Sequence, residues 1–389
     1  MIQRELEPVV RRLTQWFPIV SVTGPRQSGK STLVRTAFPD YEYINLENVD
    51  TLAAAQRDPV AFIRERPRKL IIDEAQLVPE LFNMLQVVSD EENVAGQYVL
   101  SGSQNFLLLK RITQSLAGRV GILRLLPFSV RELHTTDNGW SIDELILRGG
   151  YPRLYDAKIP LQLYFDSYLS TYLERDVAGY LDVRNVRSYE STIRLLAQVT
   201  GNLLNLTRLA NDVGVSTKTV RQWLSMLESS YIVFELPPYF ANIRKRLIKT
   251  PKIYFYDTGL LCHLLGIRTL EQLRTSEYRG AIFENFVIAE TVKRHYNAGR
   301  TPEMYFYRDT TGKEVNLIDL TDGAEIVEIK AGMTFKSEFS KLVQEVHGLL
   351  NLPNCYCCIV MQREDEITVD GVNVVPVRQW VMREDAPIA

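Results

Sequence analysis

Gly24, Gly29, Lys30 and Ser31 stand in the stretch GPRQSGKST (residues 24–32) at a spacing that can wrap a chain of phosphates. Two glycines bracket four residues, and a lysine and a hydroxyl follow. Glycine lets backbone N–H groups approach phosphate oxygens, and the helix opening here adds the positive end of its dipole. In such a loop Gln27, Ser28, Gly29 and Thr32 lie along the phosphates, Lys30 reaches the outer ones and Ser31 holds Mg²⁺. The chemistry needs a strand before and a helix after. FPIVSVTG (17–24) is a short apolar run and KSTLVRTAF (30–38) an amphipathic start of helix.

A phosphate loop of this kind also needs a second strand ending in acid. KLIIDEAQ (69–76) provides it. Leu70, Ile71 and Ile72 form a run suited to a parallel strand covered on both faces. Asp73 follows at the carboxyl edge, where open α/β sheets bind ligands. Its expected role is to hold magnesium through water, and Glu74 is the candidate to orient or activate the attacking water. Together the two motifs specify binding of a nucleoside triphosphate and its hydrolysis. Further strands are expected over 41–48, 97–103 and 118–127, with helices near 51–65, 79–92 and 105–117. Such alternation predicts an α/β fold with a parallel sheet and helices on both faces. Ser101 and Ser103, with Gln104 and Asn105 beyond, sit where a polar group could sense the third phosphate; turn chemistry explains them equally well.

Five stretches, GPRQSGKST, LIIDEAQ, YVLSGSQNFLL, SLAGRVGILRLLPFSVREL and GGYPRL, together resemble a family of prokaryotic AAA+ ATPases that carry a C-terminal domain of uncharacterised function. The similarity covers nearly the whole chain, and the AGR…LLPFS-x-x-EL segment narrows it most. The resemblance implies ATP and Mg²⁺ as ligands, makes Arg119 an arginine-finger candidate, and suggests a homo-oligomer, since such a finger works across a subunit interface. The alternative for Arg119 is a strand-initiating arginine paired with a surface acid.

The chain has 389 residues, too many for one core and suited to two or three domains. Apolar residues make up 46% and charged ones 24%, and the net charge of −2 gives no global pull toward nucleic acid. No apolar run approaches the roughly 20 residues of a membrane helix, and the N-terminus lacks a signal-peptide core, so a cytoplasmic location is expected. Three of the four cysteines crowd into CYCCIV (355–360), with His347 eight residues earlier. The spacing fits a zinc knuckle poorly, and the run reads as a buried strand with small thiols.

Residues 133–185 read as helices that would form a lid on an ATPase core spanning 1–132. Residues 206–236 have helix-turn-helix grammar: a short helix, Gly214, Ser216 as a cap, then a second helix. Two strands follow as a wing, so 186–272 reads as a winged helix. Lys218 and Arg221 lie near the start of the second helix. The run from Asn242 to Lys252 holds Arg244, Lys245, Arg246, Lys249 and Lys252 and no acid. These residues make duplex DNA the expected partner, with protein docking the alternative.

Residues 273–389 run helix, hairpin, strand, helix, strand, an order that resembles the PD-(D/E)xK nuclease fold. Glu328 and Lys330 match its E-x-K, and Glu284 matches the acid of the preceding helix. The aspartate position, however, holds Asn316, which has a carbonyl for a metal but no charge. A degenerate, nuclease-like domain used for binding or assembly is therefore expected. Three functions follow: an ATPase acting on or bound to DNA, an ATP-regulated metal-dependent nuclease, and a nucleotide-switched scaffold for protein partners.

Overall fold

The apolar run ahead of Gly24 forms β1 (Ile19–Thr23), buried at every position as an interior parallel strand must be. With β2 (Glu42–Asn45), β3 (Leu70–Asp73), β4 (Tyr98–Gly102) and β5 (Val120–Arg124) it makes a parallel sheet in the order β2-β3-β4-β1-β5. This is a computed structural model, and it describes residues 2–102, 116–135, 139–174, 183–239, 250–309 and 311–385. Helices Glu7–Leu13 and Lys30–Ala37 cover one face, placing Val10, Leu33 and Val34 on Val20 and Val22. Helices Pro59–Arg64 and Glu80–Glu92 cover the other, placing Phe62, Phe82 and Leu85 on Ile19 and Ile72.

The helix expected over 51–65 is two helices, Val49–Arg57 and Pro59–Arg64. Pro59 has no N–H for an i→i−4 bond, and the Asp58 carboxylate accepts from Ala61 N at 2.9 Å, capping a fresh start. The helix expected over 105–117 lies almost wholly outside the described residues.

After the sheet come helices Ile142–Arg148, Arg153–Asp156 and Leu161–Tyr172, then Val183–Gln198. Helices Leu206–Val213 and Thr217–Ser229 follow, the second capped by Ser216 as its sequence suggests. Trp223, Leu224 and Leu227 are buried between them and their neighbours. Strands β6 (Val233–Leu236) and β7 (Lys252–Phe255) pair antiparallel beside these helices.

Helix Arg279–Asn297 leads into a six-stranded sheet made of β8 (Met304–Arg308), β9 (Glu314–Asp319), β10 (Glu325–Lys330), β11 (Tyr356–Met361), β12 (Ile367–Val369) and β13 (Val372–Pro376), in the order β12-β13-β11-β10-β9-β8. The first three are antiparallel neighbours, and helix Ser337–Leu350 crosses over to β11, which runs parallel to β10. From Arg279 to Met361 the element order is the one read from the sequence; β12, β13 and helix Val377–Val381 lie beyond that reading.

His295, near the end of helix Arg279–Asn297, is buried between Asp319 (Nε2 to Oδ2, 2.6 Å) and Asp385 of the C-terminal tail. Burial by itself would lower the imidazole, but the hydrogen bonds and charges of the two aspartates outweigh it and hold it above its usual value. Both aspartates are held low despite burial. The His295 contribution to stability is therefore complete below about pH 6.5, the unfolded value, and is lost as pH rises through the folded one. The aspartates keep theirs until pH falls through their lowered values. We expect the denaturation midpoint to drop as pH rises above about 6.5 and the drop to shrink in His295→Gln. A midpoint that rises over that range would contradict the assignment.

Candidate functional site

Gly24 ends β1 with φ 156°, and a Cβ there would come within 2.1 Å of Leu125 O, so only glycine lets the loop pass the chain leaving β5. Gly29 (φ 93°) and Gln27 (φ 61°) complete the curl, and helix Lys30–Ala37 starts from it. Lys30 points back into the loop, donating to Gly24 O at 3.0 Å and Pro25 O at 2.7 Å. The Ser28 hydroxyl is buried in the same loop with no hydrogen-bond partner among the described residues. An orphaned donor beside a buried ammonium fits an anion seated in the curl.

The loop is held from behind by Arg4, which the sequence reading did not single out. Its guanidinium donates to Ser28 O (2.8 Å), Leu126 O (2.6 Å) and Glu132 (2.9 Å), and lies over the Phe128 ring. Much of the LLPFSVREL segment is thus scaffolding for the phosphate loop. The GGYP stretch is scaffolding too. Gly150 N donates to Asp257 at 2.7 Å, and a Cβ on Gly149 would come within 2.3 Å of the same carboxylate.

Asp73 ends β3 next to the loop. Its carboxylate accepts from Ser101 Oγ (2.5 Å) and Tyr43 OH (2.6 Å). Burial, then the Asp73 hydrogen bond and charge, push the Tyr43 phenol well up, so it stays a donor. Glu74 adopts a left-handed backbone (φ 54°), unusual for a side chain of its size, and its Oε2 accepts from Gln76 Nε2 at 2.5 Å.

A cavity of about 710 Å³ opens over the loop, lined by Gly29, Lys30, Ser31, Thr32, Glu74 and Arg153 of helix Arg153–Asp156 among others. Its volume suits a nucleotide-sized ligand. Arg153 has no hydrogen-bond or ion-pair partner among the described residues, and Tyr164 of helix Leu161–Tyr172 donates to Gln27 at 2.9 Å. A second cavity of about 360 Å³ shares Gly29, Thr32 and Pro152 with the first and is walled by Ile2, Leu33 and Phe128.

Arg119 is elsewhere. It precedes β5 at the sheet edge opposite the phosphate loop, and it pairs with Asp90 of its own chain at 2.5 Å. Ser103, Arg244, Lys245, Arg246 and Lys249 lie outside the described residues. Lys218 is exposed, whereas Arg221 pairs with Glu235 of β6 at 3.1 Å.

Lys252, unlike an exposed member of a basic run, is buried on β7, its ammonium 3.0 Å from Glu284 and 2.5 Å from Glu314. Stripping water from an ammonium costs several kcal/mol, and the two carboxylates offset that cost, so Lys252 is not free for a phosphate. Glu284 also accepts from Tyr254 OH at 2.6 Å. Nearby, Glu328 is buried and pairs with Lys330 at 2.5 Å. Burial raises the Glu328 carboxyl despite that lysine. Asn316 lies where the register of β8 and β9 shifts, and its carbonyl oxygen accepts from Ile329 N at 2.8 Å.

A family model described as an AAA domain matches residues 17–134. Two domains of unknown function, DUF8612 and DUF4143, match 139–271 and 279–380. The chain is 33% identical over 343 residues to an uncharacterized protein of Mycobacterium tuberculosis, covering 85% of this chain and 74% of the relative. It is 23% identical over 423 residues to an uncharacterized protein of Haemophilus influenzae, covering 98% and 99%. Among solved structures, a Walker-type ATPase of Pyrococcus abyssi superposes with a TM-score of 0.46 at 15% identity, covering 68% of this chain and 96% of that one. No helix among the described residues is long and apolar enough to cross a membrane.

Proposed function

The chain belongs, with the Mycobacterium tuberculosis protein, to a family of prokaryotic AAA-type ATPases, and on that premise we propose that the cavity over Lys30 binds ATP and cleaves its terminal phosphate. The observation that carries this reading is convergence: Lys30, Ser31 and Glu74 line one cavity, and Asp73 ends β3 beside them. Lys30 leaves the loop carbonyls for the outer phosphates. Ser31 and Asp73 would hold Mg²⁺, which spreads phosphate charge when bound. Glu74, oriented by Gln76, accepts the proton of the attacking water. Arg153 meets the terminal phosphate from the lid, and the apolar walls of the smaller cavity take the base. Phosphate release from ATP and Mg²⁺ by the purified chain tests this reading.

Arg119 cannot reach this cavity from its own chain, so a finger role requires a neighbouring copy. Arg119→Ala should then bind ATP normally and hydrolyse it poorly. Mixed with Glu74→Gln it should regain part of the lost turnover, because each working interface draws one part from each subunit. No regain in the mixture would leave Arg119 as the partner of Asp90 alone.

Contact with duplex DNA through residues 206–236 and the basic run is supported by the exposure of Lys218 at the start of its helix. Each phosphate contact adds about 0.9 to the slope of log affinity against log salt. Replacing Arg244, Lys245 and Arg246 together with alanine should reduce that slope by roughly 2–3. A slope that does not change, or no DNA complex at all, favours a protein partner for this unit. For the C-terminal unit we propose binding or assembly rather than phosphodiester cleavage. Asn316 has its carbonyl on Ile329, and Lys252 takes the carboxylates of Glu284 and Glu314.

A further inference from the structure

The cysteine-rich strand is not uniformly buried. Side chains alternate along β11, so Cys358 faces the core shared with helix Arg279–Asn297, where it is fully buried. Cys355 and Cys357, an even number of residues apart, face helix Ser337–Leu350 on the opposite side and are half-buried. That helix is capped at Asn351 (φ 47°), and Asn354 (φ 51°) turns the chain again, so the five-residue link 351–355 folds the helix's last turn back onto the start of β11. His347 in that last turn thereby meets the two thiols.

The Nδ1 or Nε2 of His347 and the sulfurs of Cys355 and Cys357 all lie within 4.8 Å of one another. The Cys355 thiol donates to Tyr356 O at 3.9 Å, and the imidazole has no hydrogen-bond partner among the described residues. Ligand atoms around a tetrahedral zinc, at about 2.3 Å for sulfur and about 2.0 Å for nitrogen, stand roughly 3.5–3.8 Å apart. The upper limit of 4.8 Å exceeds those separations by roughly 1 Å, so the three side chains would close slightly around the ion.

We propose that His347, Cys355 and Cys357 form a binding site for Zn²⁺ or another thiophilic divalent ion. Two thiolates and an imidazole select zinc-like ions over Mg²⁺ or Ca²⁺, which prefer oxygen. Both thiols lose their protons on binding, and the fourth position is left to water. The ion fastens the end of helix Ser337–Leu350 to the start of β11, a link otherwise made by the five residues 351–355. The site is separate from the cavity over Lys30, so it does not depend on the ATPase reading.

Titration of the full-length reduced protein with Co²⁺ tests this directly. The expected result is a thiolate-to-cobalt charge-transfer band with the visible bands of a tetrahedral ion, saturating at one per chain and erased by one equivalent of Zn²⁺. Cys357→Ser and His347→Ala should each weaken the band at least about tenfold in apparent affinity, while Cys358→Ala should retain it. Zn²⁺ should raise the denaturation midpoint of the starting protein but not of Cys355→Ser/Cys357→Ser. A protein that gives no cobalt band would overturn the proposal, as would a band that survives loss of both cysteines.

Discussion

Lys30→Ala is expected to weaken ATP binding by roughly two orders of magnitude, leaving the fold intact. In the structure the ammonium holds the carbonyls of Gly24 and Pro25, bonds that a water molecule can replace. With nucleotide bound, the same ammonium would face two phosphate groups. A hydrogen bond to a charged group contributes about 1.5–3 kcal/mol, and each 1.4 kcal/mol is tenfold in affinity. Titration with a fluorescent ATP analogue reads this effect, with circular dichroism to show that the helices persist. Retained tight binding would mean that the anion is held elsewhere than in the 24–32 loop.

Glu74→Gln is expected to separate binding from turnover. The amide keeps the size of the side chain but cannot accept the proton of an attacking water. Loss of a positioned general base costs about 10²–10⁴ in rate. The substitution preserves the left-handed turn at residue 74, where a glutamine is no more strained than a glutamate. ATP affinity should stay within a few-fold while phosphate release falls. Equal losses in both would instead point to a structural role in holding the turn.

The phosphate loop and the acid strand were legible in the sequence because their chemistry is local. Gly24 through Thr32 and Leu70 through Glu74 are contiguous, and each motif carries its own strand. Tyr43 and Arg153 were not legible as site residues. Tyr43 reaches Asp73 only because β2 lies beside β3, and Arg153 lines the cavity only because its helix folds over the loop. Arg4 was hidden for the same reason, its three acceptors lying 24 to 128 residues away. Lys252 was misread because a run of basic residues does not reveal which member starts a strand facing Glu284 and Glu314. The cysteines show the reverse case. Two-residue periodicity already divides Cys355 and Cys357 from Cys358, but the approach of His347 depends on where helix Ser337–Leu350 ends.

The most direct measurement of the central claim is phosphate release from ATP by the purified chain, with and without Mg²⁺, beside its Glu74→Gln counterpart. The account expects release that needs Mg²⁺ and falls at least about 100-fold in the variant. Release equal in both proteins, or no release from a folded protein that binds ATP across all assembly states, would contradict it.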